Sequence, residues 1–143
     1  MMSKKECKEQ GYYSMTVKEI ASLIRKDLKA EFGKTAKFGV RSGISGYTQK
    51  ITVTVKALDE KHFKTIEEFE NENMTVKLSN PQLYESLLNQ FNNKRLNSIK
   101  NDVYEQIEAI VDKYNYNDSD VYTDYFDYNY LSFINDDFGI TVL

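Results

Sequence analysis

A chain of 143 residues, 41% of them hydrophobic and one of them proline, is long enough to bury a core as a single domain without metals or disulfides. Its single cysteine, Cys7, excludes an internal disulfide, and no apolar run approaches the roughly 18 residues that span a bilayer. The N-terminus is polar and rich in lysine, without the apolar segment of a secretory signal. We therefore expect a cytoplasmic protein.

The net charge of −3 hides an uneven distribution along the chain. Residues 1–100 contain 18 lysines and arginines against 12 acidic residues, whereas residues 101–143 contain ten acidic residues against one lysine, Lys113. Seven of the eleven tyrosines also lie in that last segment. An asymmetry of this size favours a charged partner, although it does not bear on the fold.

The N-terminal segment 1–13 lacks a hydrophobic period and is predicted to form a flexible leader. Thr16 and Glu19 then have the spacing of a capping box, and apolar residues recur at helical spacing behind them, up to Gly33. Because glycine readily takes the positive φ that ends a helix, these signals predict a helix over 16–32.

A β-hairpin is predicted next. A short strand over 37–41 is followed by a glycine-rich turn over 43–46, and then β-branched residues alternate with polar ones over 51–56. Beyond the hairpin, apolar residues spaced three apart predict a short amphipathic helix over 60–70, and 74–78 is predicted as a further short strand.

The second half of the chain begins with a strong helix signal. Asn80 is a good N-cap and Pro81 a good first helical residue, and an apolar stripe continues from there until residues 92–93 break it in favour of a second helix. Aromatic residues predict a strand over 125–134, and 139–143 is predicted to pair as an edge strand or to fray.

These elements predict an α+β fold. One small, mainly antiparallel sheet of three to five strands would carry the N-terminal helix and a long C-terminal helix or helix pair on one face. Since the sequence has no internal repeat and no linker, residues 14–143 are predicted to form one domain.

Several short runs of residues, taken in chain order, form a recognisable set. The N-terminal half combines these residues: 18–21 with Leu23, Ile24, Arg25 and Leu28, then 37–42, and Ser45-Gly46 leading into 51–53. The C-terminal part adds the runs 114–120 and 123–127. This ordered set, which extends from about residue 15 to 134 and is weakest in the middle, resembles the large polyvalent protein-associated domain numbered twenty-nine in its series.

Domains of that family occur in proteins of phages and conjugative elements, where they are thought to act against host defences or to service transferred DNA. The resemblance therefore implies an accessory protein of a mobile genetic element in the cytoplasm of a bacterial host. A stand-alone anti-CRISPR protein is one such specialisation. The family has no agreed catalytic residues to carry over to this chain.

Catalytic motifs are not apparent in the residues themselves. His62, the only histidine, lies among charged residues and is predicted to be solvated, and a nucleophilic pair with Cys7 would require the leader to dock onto it. The glycines fit neither a phosphate-binding loop nor a dinucleotide fingerprint. A zinc site would need a second histidine or cysteine. We therefore predict that the protein is not an enzyme and needs no cofactor.

The carboxylates of the C-terminal segment begin like a calcium loop at residues 118–120. However, Thr123 takes the place of the glycine such a loop requires, and Asn129 takes the place of its bidentate glutamate. An EF-hand is thus rejected. Paired carboxylates that hold magnesium or do acid–base work remain an alternative to Asx turns and solvated side chains.

Binding functions fit the sequence better. Lys18, Arg25 and Lys29 are about two turns and one turn apart on the predicted first helix, so one face of it could follow a phosphate backbone, with Arg41 on the hairpin nearby. Acidic residues interleave on the same helix, and pairing at i,i+4 explains them equally well. A nucleic-acid-binding module is therefore the alternative prediction.

The leading prediction is a protein that binds and inhibits a host defence protein, with an RNA-guided nuclease such as Cas9 as the first candidate. Nucleases of this kind hold nucleic acid in positively charged channels, and an acidic surface beside tyrosine rings would complement them. The predicted contact residues are Tyr116, Asp118, Asp120, Tyr122 and Asp124.

Part of the aromatic, acidic segment has a structural explanation as well. Phe126, Tyr128 and Tyr130 share one face of the predicted strand, so we expect them in the core. The acidic residues around them would then only keep the protein soluble. The candidate contact surface is therefore narrowed to the loop over residues 114–124 together with the neighbouring end of the predicted helix.

Overall fold

The structure, a computed structural model, describes residues 1–120, 122 and 126–143. The helices and strands in these residues, in chain order, are α1 (Lys4–Glu9), α2 (Val17–Phe32), β1 (Ala36–Ser45), β2 (Thr48–Leu58), α3 (Ile66–Glu72), α4 (Met74–Ser79), α5 (Pro81–Asn92), α6 (Asn101–Val111), β3 (Leu131–Asn135) and β4 (Thr141–Val142). The predicted α+β class is confirmed.

Helix α2 forms where the sequence predicts it. Thr16 is the N-cap, and its side-chain oxygen accepts a hydrogen bond from the backbone N–H of Glu19 at 3.2 Å. The Glu19 carboxylate accepts from the Thr16 hydroxyl at 3.1 Å rather than from the backbone N–H of that residue. Gly33, with a φ of 55°, ends the helix.

The β-hairpin is also confirmed, but its turn comes later than predicted. Strands β1 and β2 are antiparallel, and pairing continues to Ser45 opposite Thr48. The two turn residues are Gly46 and Tyr47, and Gly46 has the positive φ of 63° that a tight hairpin turn needs. The predicted turn over 43–46 therefore belongs mostly to β1.

The described sheet has four strands and is mixed but mainly antiparallel, as predicted. Its longest pairing is the antiparallel hairpin, while β3 and β4 both join the other edge of β2 in parallel. Helices α3 to α6 lie between β2 and β3 in the described residues, and a connection of that length can return the chain to the same end of the sheet. The strand predicted over 125–134 begins only at residue 131, and Tyr125 lies outside the described residues.

Two hydrophobic clusters hold the helices. In the main core, α2 and α6 pack with the inner face of the sheet, for example through Ile24, Ile107 and Val53. Helices α3, α4 and α5 form a second cluster, in which the rings of Phe69 and Phe91 stack with centroids 4.6 Å apart. The predicted helix pair on one face is thus wrong for α5, which packs with α3 and α4 instead.

Residues 74–78, predicted as a strand, form helix α4, and that prediction is wrong. Val76 is partly buried against the second cluster, and the other residues of this short helix are exposed.

The segment 1–13 is not a loose leader. Ser3 caps α1, and Cys7 on this helix is completely buried. Lys4 forms an ion pair with Asp127, with Nζ 2.8 Å from Oδ2. The prediction failed because a six-residue helix that buries one cysteine has no hydrophobic period to detect.

Candidate nucleic-acid interface

The outer face of the sheet, opposite the core, is polar and basic. On β2 the side chains of Ile51, Val53 and Val55 are fully buried, so the alternating positions between and beyond them point the other way. These outer positions are Lys50, Thr52, Thr54 and Lys56. The alternation of apolar and polar residues in the sequence predicts this arrangement, and the structure confirms it.

Strand β1 leaves room on this face. Gly39 lies opposite Thr54, and a Cβ atom on residue 39 would be only 2.9 Å from Cε of Lys56. The Lys56 side chain therefore lies directly over Gly39, where any larger residue would displace it. Arg41 follows two residues later on the same face, about 7 Å along the strand.

A groove of about 420 Å³ lies where α2 meets the beginning of β1. The four basic residues that line it are Arg25, Lys29, Lys37 and Lys56, and none of the described residues that line it is acidic. Arg25 is held in place because its Nη2 donates to the carbonyl oxygen of Val40 at 2.8 Å. This bond also satisfies one carbonyl group at the outer edge of β1.

We call the six residues Arg25, Lys29, Lys37, Arg41, Lys50 and Lys56 the basic strip. Within the part of the chain that the structure describes, none of them takes part in an ion pair. One acidic residue, Asp137, lies beside Arg41 and Lys50, where it helps to line a hollow of about 280 Å³. Among the described residues that line these two hollows, Asp137 is therefore the one acid beside six basic residues.

Three of the four residues predicted for nucleic-acid binding belong to the strip: Arg25, Lys29 and Arg41. The fourth, Lys18, is exposed at the beginning of α2 and lines a separate groove of about 640 Å³ between that helix end and β1. The structure thus brings residues from helix and hairpin together around β1.

The residues predicted to contact a host defence protein differ in their exposure. Tyr116 is 2% exposed, and its hydroxyl donates to Oδ1 of Asp127 at 2.8 Å, so its prediction as a contact residue is wrong. Asp118 and Asp120 are exposed, and Tyr122 is fully exposed. Asp124 lies outside the described residues.

The burial of Tyr116 results from a polar network that the sequence does not reveal. The side-chain oxygen of Asn115 accepts from the backbone N–H groups of Tyr116, Asn129 and Tyr130, at 3.0 to 3.2 Å. The side-chain nitrogen of Asn129 donates to the carbonyl oxygen of Tyr114 at 2.9 Å. These bonds tie residues 114–116 to the chain just before β3.

Several acidic residues of the C-terminal segment are structural. Asp112 accepts from the Ser132 hydroxyl at 2.8 Å, and Asp136 is bonded to Nε of Arg95 at the same distance. With Asp127, these residues bind other parts of the chain and reduce the free acidic surface.

The predicted aromatic core before β3 is only partly correct. Tyr130 is buried, Tyr128 is half-buried and Phe126 is 67% exposed. The residues 126–130 precede the strand, so they do not share one strand face.

Cys7 and His62 occupy different surroundings. The Cys7 thiol is buried against the carbonyl oxygen of Tyr114, and burial raises its pKa. His62 is half-buried rather than solvated, its Nε2 lies 3.0 Å from Oγ1 of Thr35, and burial lowers its pKa. A thiol with a raised pKa is a poor nucleophile.

Two outer-face residues were missed by the sequence reasoning, Lys56 and the half-exposed Phe133 on β3. The polar alternation of β2 indicates the exposure of Lys56. No local signal places Phe133, because the face that it occupies depends on the parallel pairing of β3 with β2.

Comparison with protein-family models, with curated proteins and with solved structures finds no match to this chain. Within residues 1–120, 122 and 126–143, no cluster of side chains has the composition of a metal site. No helix in that part of the chain combines the length and the apolar character needed to cross a membrane.

Proposed function

We propose that this protein binds nucleic acid through the basic strip, as an accessory protein of a phage or another mobile genetic element. The observation that carries the proposal is the groove between α2 and β1, where the charged lining residues among those described are four basic side chains. Lysine and arginine side chains in such an arrangement neutralise phosphates and release their counterions. The mobile-element setting comes from the family resemblance alone.

The position of the strip supports the proposal further. Its residues come from a helix and from two neighbouring strands, and the Lys56 side chain reaches across Gly39 towards the groove. The positive surface therefore extends from the groove along the outer face of β1. An extended positive track fits a polymer of phosphates better than a single small anion.

The test is the salt dependence of binding. We expect the triple variant Lys29→Gln, Lys37→Gln and Lys56→Gln to bind an oligonucleotide roughly 100-fold more weakly at about 0.1 M salt, since each phosphate contact contributes about fivefold there. The slope of log K against log salt should become shallower by about 2 for a single strand. Fluorescence anisotropy with a labelled oligonucleotide measures both quantities.

A matched control has the same net charge. Lys5, Lys8 and Lys77 lie on α1 and α4 and are exposed, so their triple replacement by glutamine should leave the slope nearly unchanged. Distant charges are screened over about 10 Å at this salt concentration. Equal losses in both triple variants, or no binding by the wild type at low salt, would refute the proposal.

A second candidate function is inhibition of a host defence protein, with an RNA-guided nuclease such as Cas9 as the target. The observation that favours it is the exposure of Asp118, Asp120 and Tyr122 close together in the chain. Negative charge beside an accessible tyrosine ring complements a positively charged nucleic-acid channel. Tyr116 has no part in this surface, because it is buried.

Cleavage of a DNA target by a purified nuclease with its guide RNA tests the second function. If inhibition occurs, the variant Asp118→Lys and Asp120→Lys should weaken it at least tenfold, about 1.4 kcal/mol. The matched control reverses Asp102 and Glu105, which are exposed on α6. Inhibition that survives the first variant but not the triple lysine variant would assign the activity to the basic strip instead.

A further inference from the structure

The outer face of the sheet carries an aromatic ring beside the basic strip. In the register of the sheet, Arg41 lies opposite Thr52, and Thr52 lies opposite Phe133. Residues in register on neighbouring strands project from the same face, so these three form one row across β1, β2 and β3. The backbones of Arg41 and Phe133 are two strand spacings apart, about 10 Å.

Side-chain contacts establish which face this is. In the next row, the Thr54 hydroxyl donates to Oδ1 of Asn135 at 2.8 Å, so these two residues project together. Ile134, between Phe133 and Asn135 on β3, packs against the main core. Phe133 therefore points outwards, and it is 47% exposed.

We infer that the ligand of the basic strip is a single-stranded nucleic acid, with one base stacked on the ring of Phe133. This inference rests on the proposed function. Bases in a duplex are already stacked on one another, so a ring on a flat sheet is useful only to bases that are free. Thr52 and Asn135 lie beside the ring and offer hydrogen-bonding groups to the edge of such a base.

The phosphates and the stacked base contact different parts of this surface. Lys50 lies on β2, the strand next to the ring, and Arg41 lies one strand further away on β1. The groove at Lys29 and Lys37 continues the positive surface away from the ring. Phosphates follow the strip while the base turns towards Phe133. Stacking of this kind tolerates any base, because every base has a flat face.

The chain contains no tryptophan, so Phe133→Trp creates a single fluorescent reporter at the stacking position. We expect an oligothymidylate of about 12 nucleotides, within the ~4–16 that a single-strand-binding fold covers, to quench this fluorescence as it binds. A duplex of the same length should not quench it. The matched control is Phe126→Trp, at an exposed position that precedes β3 and lies outside the strands of the sheet, which neither ligand should quench.

Loss of the ring supplies a second measurement. Phe133→Ala should weaken binding of the labelled oligothymidylate roughly 5- to 100-fold and leave duplex binding unchanged. Phe133→Trp should recover the affinity that is lost in Phe133→Ala, and Phe126→Ala should bind as the wild type does. Should Phe133→Ala fail to fold, Phe133→Leu keeps most of the apolar volume without an aromatic face.

The outcomes separate the inference from the proposed function. Single-strand binding that depends on the lysines but is indifferent to Phe133, or a saturated Phe133→Trp complex without quenching, overturns the inference and leaves the proposed function standing. Preference for the duplex has the same consequence. Absence of binding to both ligands at low salt overturns the proposed function, and the inference falls with it.

Discussion

Asp136 connects the end of β3 to the segment between α5 and α6. Its side chain is 5% exposed, and its Oδ2 accepts from Nε of Arg95 and from the backbone N–H of Leu96, both at 2.8 Å. Oδ1 faces the backbone N–H of Phe138 at 3.3 Å. In the variant Asp136→Asn, an NH₂ group replaces one of the two carboxylate oxygens. In either orientation of the amide, this NH₂ group faces at least one N–H donor and cannot accept its hydrogen bond.

The expected cost follows from these contacts. Arg95 is 39% exposed, so solvent screens its ion pair and little of the cost comes from losing it. The bond from Leu96 to a buried carboxylate contributes about 1.5–3 kcal/mol, part of which an amide oxygen retains. We therefore expect Asp136→Asn to lower the free energy of unfolding by about 2 kcal/mol at pH 7.

The pH dependence of this cost is a further test of the same contacts. Burial by itself would raise the pKa of Asp136, but the hydrogen bonds from Arg95 and Leu96 outweigh burial and hold the pKa below its ordinary value of 3.8. A depressed carboxylate pKa stabilises the fold above the unfolded pKa and ceases to do so as the pH falls through the folded pKa. The difference between variant and wild type should therefore shrink below about pH 4.

Urea denaturation at several pH values measures both effects. The control is Asp137→Asn, because Asp137 is exposed and has a positive φ of 48° that asparagine also adopts readily. It should change the stability by less than about 0.5 kcal/mol. If Asp136→Asn has the stability of the wild type, or if both variants lose the same stability, the buried carboxylate does not hold the end of β3 to the segment between α5 and α6.

Three other positions give independent tests. Tyr116→Phe should cost about 1–2 kcal/mol in urea denaturation, since it removes the bond to Asp127, and should leave nuclease inhibition unaffected if that activity exists. Burial lowers the pKa of His62 below 6.5, so the unfolded chain binds a proton at this side chain more readily than the folded protein does. The free energy of unfolding should therefore decline as the pH falls below about 6.5. His62→Gln should flatten that decline between about pH 7 and 5. Gly39→Ala should alter stability by less than about 1 kcal/mol, because only the flexible end of Lys56 must move, yet oligonucleotide binding should weaken as it does in Lys56→Gln. A Gly39→Ala variant with unchanged affinity would show that the position of that ammonium group is unimportant.

Much of the fold was predictable because its signals are local. The Thr16 cap and Gly33 bound α2, Asn80 and Pro81 begin α5, and the alternation of β2 separates its two faces. Each of these signals acts within about four residues, through capping bonds or the period of the backbone. Such signals fix elements and faces regardless of what packs against them.

The candidate surface depended on contacts between distant parts of the chain. Tyr116 is buried beside Asp127, which Lys4 reaches from the N-terminal helix, 123 residues away. The carboxylate of Asp136 finds Arg95 over 41 residues. Because Tyr116, Asp127 and Asp136 have partners within the fold, they do not contribute to the acidic, tyrosine-rich surface that the composition predicts.

The sequence by itself determined the α+β class, the hairpin and its half-buried second strand, and the concentration of basic residues in the first half of the chain. Only the tertiary structure decided which of those charges lie together, and that β3 joins β2 in parallel with Phe133 in the row of Arg41. A shift of one residue in that pairing would turn Phe133 into the core and Ile134 outwards. Strand register is set by packing over the whole core, which no local stretch of sequence encodes.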